Sequence, residues 1–98
     1  MARGVAFFKW TDQGVHTYRE TVDRLESNTK LAEKFHVEVK EVYYTPGGPY
    51  DLIGVAEGPD MKSLTAFVLE MESLGSTRID FAEAYGPGEM KELVHIGG

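Results

Sequence analysis

Hydrophobic and polar positions alternate, cluster and re-space along the chain, and each change of period predicts an element. Val5-Ala6-Phe7-Phe8-Lys9-Trp10 is apolar on both alternating faces, as in a strand covered on both sides, so it is expected inside its sheet. In Thr11-Asp12-Gln13-Gly14, a short oxygen-bearing side chain can accept hydrogen bonds from the free N–H groups that open a helix, which makes Thr11 or Asp12 the expected cap. Val15, Tyr18, Val22, Leu25, Ala32 and Phe35 then recur at helical spacing, with Arg19, Glu20, Asp23, Arg24, Glu26, Lys30, Glu33 and Lys34 between them. That pattern predicts one long amphipathic helix. Its middle, Ser27-Asn28-Thr29, has poor helix propensity, which leaves room for a kink there.

From His36 to Thr45 the chain alternates again, Val37 and Val39 sharing a face with Glu41 and Tyr43, and Glu38 and Lys40 sharing the other with Val42 and Tyr44. Such a mixed pattern suits an edge strand. Pro46-Gly47-Gly48-Pro49 cannot continue it, because proline lacks an N–H and glycine weakens the ladder, so these residues mark a turn. Tyr50 to Glu57 is apolar on both faces through its middle and is expected to be a central strand, opened by Gly48-Pro49-Tyr50-Asp51. Gly58-Pro59-Asp60 gives a turn, a break and a cap, after which Met61, Leu64, Phe67, Val68, Met71 and Leu74 trace one helical face that stops at Gly75. Thr77 to Ala82 predicts a fourth strand with Ile79 and Phe81 opposed to Arg78 and Asp80. Behind Gly86-Pro87-Gly88, residues Glu89 to Val94 predict a short last helix. Met61, Met71 and Met90 read as core positions.

The order strand, helix, strand, strand, helix, strand implies an α+β fold: a ferredoxin-like four-stranded antiparallel sheet with both helices on one face and a short helical tail. No helix remains for the other face, and the central strands look apolar both ways. Two sheets packed face to face, a dimeric α/β barrel, would cover them. With 98 residues, the chain is expected to be one domain over 1–98, small enough that an uncovered apolar face seeks a second copy.

Charge narrows the partners. Ten Lys and Arg against sixteen Asp and Glu give −6, which disfavours nucleic acid and anionic membrane surfaces. The absence of cysteine removes disulfides, thiol chemistry and thiolate metal sites. Met1-Ala2-Arg3-Gly4-Val5 runs into a strand with no apolar signal segment, so a cytoplasmic location is expected.

Four spaced motifs carry a resemblance. Phe8-Lys9-Trp10-Thr11-Asp12-Gln13-Gly14, Gly48-Pro49-Tyr50-Asp51-Leu52, Glu57-Gly58-Pro59-Asp60 and Ser73-Leu74-Gly75-Ser76-Thr77-Arg78 closely resemble, in order, the successive motifs of the GYD-domain family. The resemblance spans about Val5 to Tyr85 and implies a dimeric α/β-barrel fold and a small protein that associates with itself, in a family largely without assigned chemistry. The sequence departs from the family pattern at Pro46, Gly47 and Pro49 before Tyr50-Asp51, and at Ser76-Thr77, where the family tends to have Asn-Val.

The chemistry on offer is sparse. His16, His36 and His95 are the only imidazoles, none spaced to set two ligands on one helical face, so no metal site and no cofactor are expected. His36 and His95 read as surface residues. His16, in the first turn of the first helix, reads as surface too, with a cavity-facing role as the lesser alternative. Tyr50 and Asp51 could exchange a proton with a substrate if burial raises the carboxylate pKa. The favoured alternative has Asp51 accepting N–H bonds from the glycine-rich turn and Tyr50 packing across strands. Arg78 could bind a ligand carboxylate, though pairing with Asp80 or Glu83 on a neighbouring strand or subunit is favoured. Trp10, Tyr43, Tyr44, Tyr50, Phe81 and Tyr85 could line an aromatic pocket or fill the interface between sheets. Gly47-Gly48 precedes a strand rather than a helix, which argues against a phosphate loop.

Two functional classes follow. One is a non-catalytic module that self-associates and holds a small organic ligand. The other is a cofactor-independent enzyme of monooxygenase or isomerase type acting on an aromatic or polyketide-like substrate, with His16, Tyr50 or Asp51 moving a proton and Arg78 steadying negative charge. The lack of two convergent acid–base groups favours the first.

Overall fold

Strand β1, Ala2–Trp10, alternates strictly: Ala2, Ala6 and Phe8 are buried while Arg3, Val5 and Phe7 are half-buried on the opposite side. It is the second of two central strands in a sheet of order β2-β3-β1-β4, with β2 at Glu38–Tyr44, β3 at Leu52–Gly58 and β4 at Thr77–Glu83. Every neighbouring pair is antiparallel. The computed structural model describes all residues from Met1 to Gly98. The architecture is the ferredoxin-like one, with helices α2 (Thr21–Lys34) and α3 (Met61–Ser73) on one face.

The core lies between those helices and the even-numbered face of β1. Ala32 of α2 and Leu64, Phe67, Val68 and Met71 of α3 pack with Ala2, Ala6, Phe8 and Val37 into one apolar cluster. Leu64 is only 1% exposed. The second helix forms as its sequence dictates: Asp60 accepts a 2.8 Å hydrogen bond from the Ser63 N–H at its start, and Gly75, at φ 87°, ends it in the left-handed conformation that glycine adopts freely.

The long first helix is in fact two. A short α1, Asp12–His16, is capped by Thr11, whose Oγ1 accepts the Gly14 N–H at 3.1 Å. The chain then makes a 3₁₀ turn at Tyr18–Glu20 before α2. The break falls at Thr17 (φ −109°, ψ 31°) and not at Ser27-Asn28-Thr29, through which α2 runs unbroken. The cause is tertiary. Gly14 is pressed so closely on Ser76 that a Cβ there would lie 2.0 Å from the Ser76 carbonyl oxygen. That contact fixes the direction of α1, and the chain must turn again for α2 to lie along the sheet.

The expected faces of β2 are corrected as well. A bulge between Val39 and Glu41 leaves Lys40 as the extra residue, so Val39, Val42 and Tyr44 share the helix side while Tyr43 lies on the other. The mixed alternation of this edge strand is the trace of that bulge.

No helix covers the odd-numbered face. Val5 and Phe7 of β1 lie beside Val55 and Ile53 of β3 there, with Tyr43 and Ala82 alongside. The molecule is only 18 Å thick, one sheet layer and one helix layer, against 49 Å in length. Helix α4, Pro87–Ile96, contributes to that length and buries no residue. Met90, expected in the core, is 52% exposed. A capped helix with a proline at its start forms, and nothing in the chain packs on its apolar side.

Candidate functional site

Glycine and alanine line the helix side of the central strands, with Gly4 under the Phe81 ring. Gly4 and Ala6 of β1 face Ala56 and Gly54 of β3 across the ladder, and above them lies a cavity of about 60 Å³ walled by Leu25 of α2 and by Phe67, Val68 and Met71 of α3. Its lining is almost wholly apolar, and Asn28 is the one side chain carrying an amide. Asn28 falls on the buried stripe of α2, three residues after Leu25 and four before Ala32. A smaller cavity of about 20 Å³ adjoins it, bordered by Trp10, Tyr44, Asn28 and Arg24. Beyond that lies an open polar cleft of about 420 Å³ lined by Thr17, Glu20, Asp23, Arg24, Ser27 and Asn28. Asn28 therefore borders all three spaces and Arg24 the outer two.

Arg24 is held in place by oxygens of the preceding turn. Its Nη1 donates to the Thr17 carbonyl and hydroxyl at 3.0 Å each, and its Nη2 to the Gly14 carbonyl at 3.3 Å. A cation beside the carbonyls at the end of α1 is favourably placed. The same contacts join α1 to α2 and set the rim of the cleft. Of the neighbouring polar groups, Thr29 donates to the Leu25 carbonyl at 2.8 Å.

The residues singled out from sequence are distributed differently. Trp10, Tyr44 and Phe81 do border the helix-side cavities, whereas Tyr43 lies on the open sheet face. Tyr50 lies there too, its ring 5.1 Å from that of Phe7, and its hydroxyl donates to Asp80 Oδ2 at 2.8 Å. That bond, more than the Asp80 charge or burial, raises the Tyr50 pKa above its ordinary value. Tyr85 donates to Glu83 at 2.7 Å near the start of α4.

Asp51 does not cap the glycine-rich turn. Its Oδ2 accepts the Trp10 N–H at 2.9 Å, supplying the partner for the last residue of β1, while its own N–H donates to the Phe8 carbonyl at 2.8 Å. Arg78 reaches neither Asp80 nor Glu83. It is 79% exposed, with Glu72 of α3 at 4.0 Å. His16 is exposed on α1 and borders none of the cavities. His16, Tyr50, Asp51 and Arg78 thus do not converge on one space.

Arg24, Asn28, Gly4 and Gly54 were not anticipated. A signal existed for Asn28, a polar residue on an otherwise apolar helical stripe. For the glycines there was none without the strand register. No three His, Asp or Glu side chains cluster so as to hold a metal ion, and no helix is long and apolar enough to cross a membrane.

Comparison with known proteins places the chain. None of the curated proteins compared matches it. Among solved structures, the solution structure of the C-terminal domain of the MgtC protein from Mycobacterium tuberculosis is similar, with a TM-score of 0.44 and 14% identity over 85% of this chain and 86% of that one. The family model of the GYD domain matches residues 5–94, nearly the whole length, and the chain belongs to the GYD-domain family.

Proposed function

We propose that this GYD-domain protein is a non-catalytic, self-associating module: the open face of its sheet is buried against a second copy, and the helix-side cavity of each copy holds a small organic molecule. The observation that carries the reading is the strip of Val5, Phe7, Ile53 and Val55 across the two central strands, with no helix over it. Burying apolar surface of this kind contributes about 25 cal/mol per Å².

The polar groups at one end of the strip suit a rim. Arg3 pairs with Glu57 at 3.1 Å and with Glu89 at 2.9 Å, and Lys40 pairs with Glu38 at 3.2 Å and Glu57 at 3.6 Å. Charged rims around apolar centres are the usual anatomy of protein interfaces. Four strands of this length present a plane on the order of 450 Å², short of the roughly 800 Å² per partner in a stable complex. The exposed side of α4, with Met90, Leu93 and Val94, adds apolar surface adjacent to the Arg3 end of the same face.

Sedimentation velocity tests the association. The wild-type chain is expected to sediment as a dimer or larger at micromolar concentration, and Ile53→Lys and Val5→Lys as monomers that keep the circular dichroism of the parent. A wild-type chain that remains monomeric at about 100 μM, above the dissociation constant of ordinary specific complexes, would overturn it.

A further inference from the structure

We infer that two copies of this chain are related by a two-fold axis running along the strands, which lays β1 of each copy over β3 of its partner. This rests on the self-association proposed above and narrows it to one of two arrangements. Packing a face on itself with two-fold symmetry needs an axis in the plane between the sheets. With the strands of the two sheets roughly aligned, that axis runs either along the strands or across them. The apolar strip does not choose. Val5 and Phe7 are level with Val55 and Ile53, so either operation lays apolar residues on apolar residues.

The charges that bound the strip do choose. On the open face β1 carries a cation toward each end, Arg3 and Lys9, while β3 carries Glu57 near its end and follows directly on Asp51. Arg3 is level with Glu57 in the register. Asp51 is level with Lys9, since its N–H donates to the Phe8 carbonyl and its Oδ2 accepts the Trp10 N–H. An axis across the strands would put β1 on β1 and β3 on β3, with Lys9 facing the partner's Arg3 and Asp51 facing the partner's Glu57. Like charges would then meet at every corner, a juxtaposition that interfaces strongly disfavour. An axis along the strands instead sets Arg3 opposite the partner's Glu57 and Lys9 opposite the partner's Asp51, so that opposite charges meet at every corner.

The remaining groups on the face accept the second arrangement. Lys9 makes no ion pair in its own chain, its Nζ only donating to the Pro49 carbonyl at 3.4 Å. At the edges β2 lies over the partner's β4, which sets Glu41 opposite the partner's Ala82, Tyr43 opposite the partner's Asp80, and Thr45 opposite the partner's Arg78. No like charges meet there. Cations on one central strand beside carboxylates on the other make the face complementary to itself, which is why its occupant is a second copy and not an acidic or a basic protein.

Lys9→Glu separates the arrangements by sign. With the axis along the strands it sets Glu opposite the partner's Asp51 and weakens association; with the axis across them it sets Glu opposite the partner's Arg3 and tightens it. Lys34→Glu, exposed on α2 away from the sheet face, makes the same change in net charge and is the control. Sedimentation equilibrium of the full chains is expected to show Lys9→Glu associating about 5-fold or more weakly than Lys34→Glu, since two-fold symmetry loses the contact twice. Carbodiimide coupling of a mixture of unlabelled and ¹⁵N-labelled wild-type chains is expected to join Lys9 to Asp51 in mixed-isotope peptides. Within one chain Lys9 and Glu57 are about 20 Å apart along the strands, too far for a bond formed without a spacer, so a Lys9–Glu57 link arises only between copies. Such a link, or a Lys9→Glu chain that associates as tightly as Lys34→Glu or more so, overturns the assigned axis and leaves self-association standing. A wild-type chain that stays monomeric removes both.

Discussion

The Tyr50 hydroxyl donates to Asp80 Oδ2 across β1, linking the segment that leads into β3 with β4 while the Tyr50 ring rests on Phe7 between them. The phenol donates only in its neutral form, so the fold favours the proton and the Tyr50 pKa is raised. A group raised on folding adds stability that is present below its unfolded pKa and is lost as pH rises through its folded value.

Tyr50 should therefore ionise above the ordinary tyrosine value of about 10, and Asp80→Asn should bring it back down. Tyr43 and Tyr85, which donate to Glu41 and Glu83, are raised by the same cause. Absorbance titration near 295 nm, with Tyr50→Phe to isolate its component, checks this. A Tyr50 component that titrates with, or below, free tyrosine would contradict the geometry.

Gly14 supports the rim of the candidate cleft. A methyl at that position would meet the Ser76 carbonyl, a backbone atom that cannot swing aside, and the Gly14 carbonyl is also an acceptor for Arg24. Gly14→Ala is expected to lower stability by about 1–3 kcal/mol, the range for overpacked interiors, in contrast to Gly54→Ala, whose Cβ would meet Phe8 and the Glu41 carbonyl only at ordinary contact distances. Urea unfolding of the two variants separates them: equal midpoints would show that the contact with Ser76 relaxes freely.

Much of this fold was legible because periodicity and caps are local. Thr11, Asp60 and Gly75 do what their residue types suggest, and the apolar runs place β1 and β3 inside the sheet. The bulge at Lys40 was not legible, because one extra residue changes the period only relative to a partner strand. The break at Thr17 likewise depends on Ser76, far away in the chain. The helix-side cavity escaped for a related reason: Gly4 and Gly54 line it only once Ala6 is paired with Gly54 and Gly4 with Ala56. Aromatic character alone suggests a pocket role for Tyr43 and Tyr50, but their side of the sheet is fixed by register and not by residue type.

Helix α4 is joined to the sheet through Glu89. Its Oε1 accepts the Gly86 N–H at 2.8 Å and the Arg3 Nη1 at 2.9 Å, and these bonds, the backbone one foremost, hold its pKa below the ordinary carboxylate value. The contribution to folding is present above the unfolded pKa and is lost as pH falls through the depressed one. Acid should thus loosen α4 before the core. Carbon-detected NMR titration should give Glu89 a midpoint below the ordinary glutamate value. Arg3→Gln should raise the Glu89 value only part of the way, since the Gly86 bond survives, and full restoration would show that the Arg3 pair dominates.

The ends of α2 and α3 make opposite predictions from one conformation. After α3 the chain turns left-handed at Gly75, φ 87°, and after α2 it does so at His36, φ 59°, where the His36 N–H donates to Glu33 and the Val37 N–H to Ala32. A side chain in that region costs about 1–2 kcal/mol, and glycine avoids the cost while losing somewhat more backbone freedom on folding. His36→Gly should accordingly stabilise by up to about 1 kcal/mol, which in a domain of this size raises Tm by about 4–8 °C. Gly75→Ala should destabilise by at least about 1 kcal/mol, the more so because a Cβ there would lie 3.0 Å from Gln13 Oε1. Calorimetry on both variants checks the pair. A His36→Gly chain that melts lower than the parent would mean that the imidazole contributes more at this junction than its strained backbone costs.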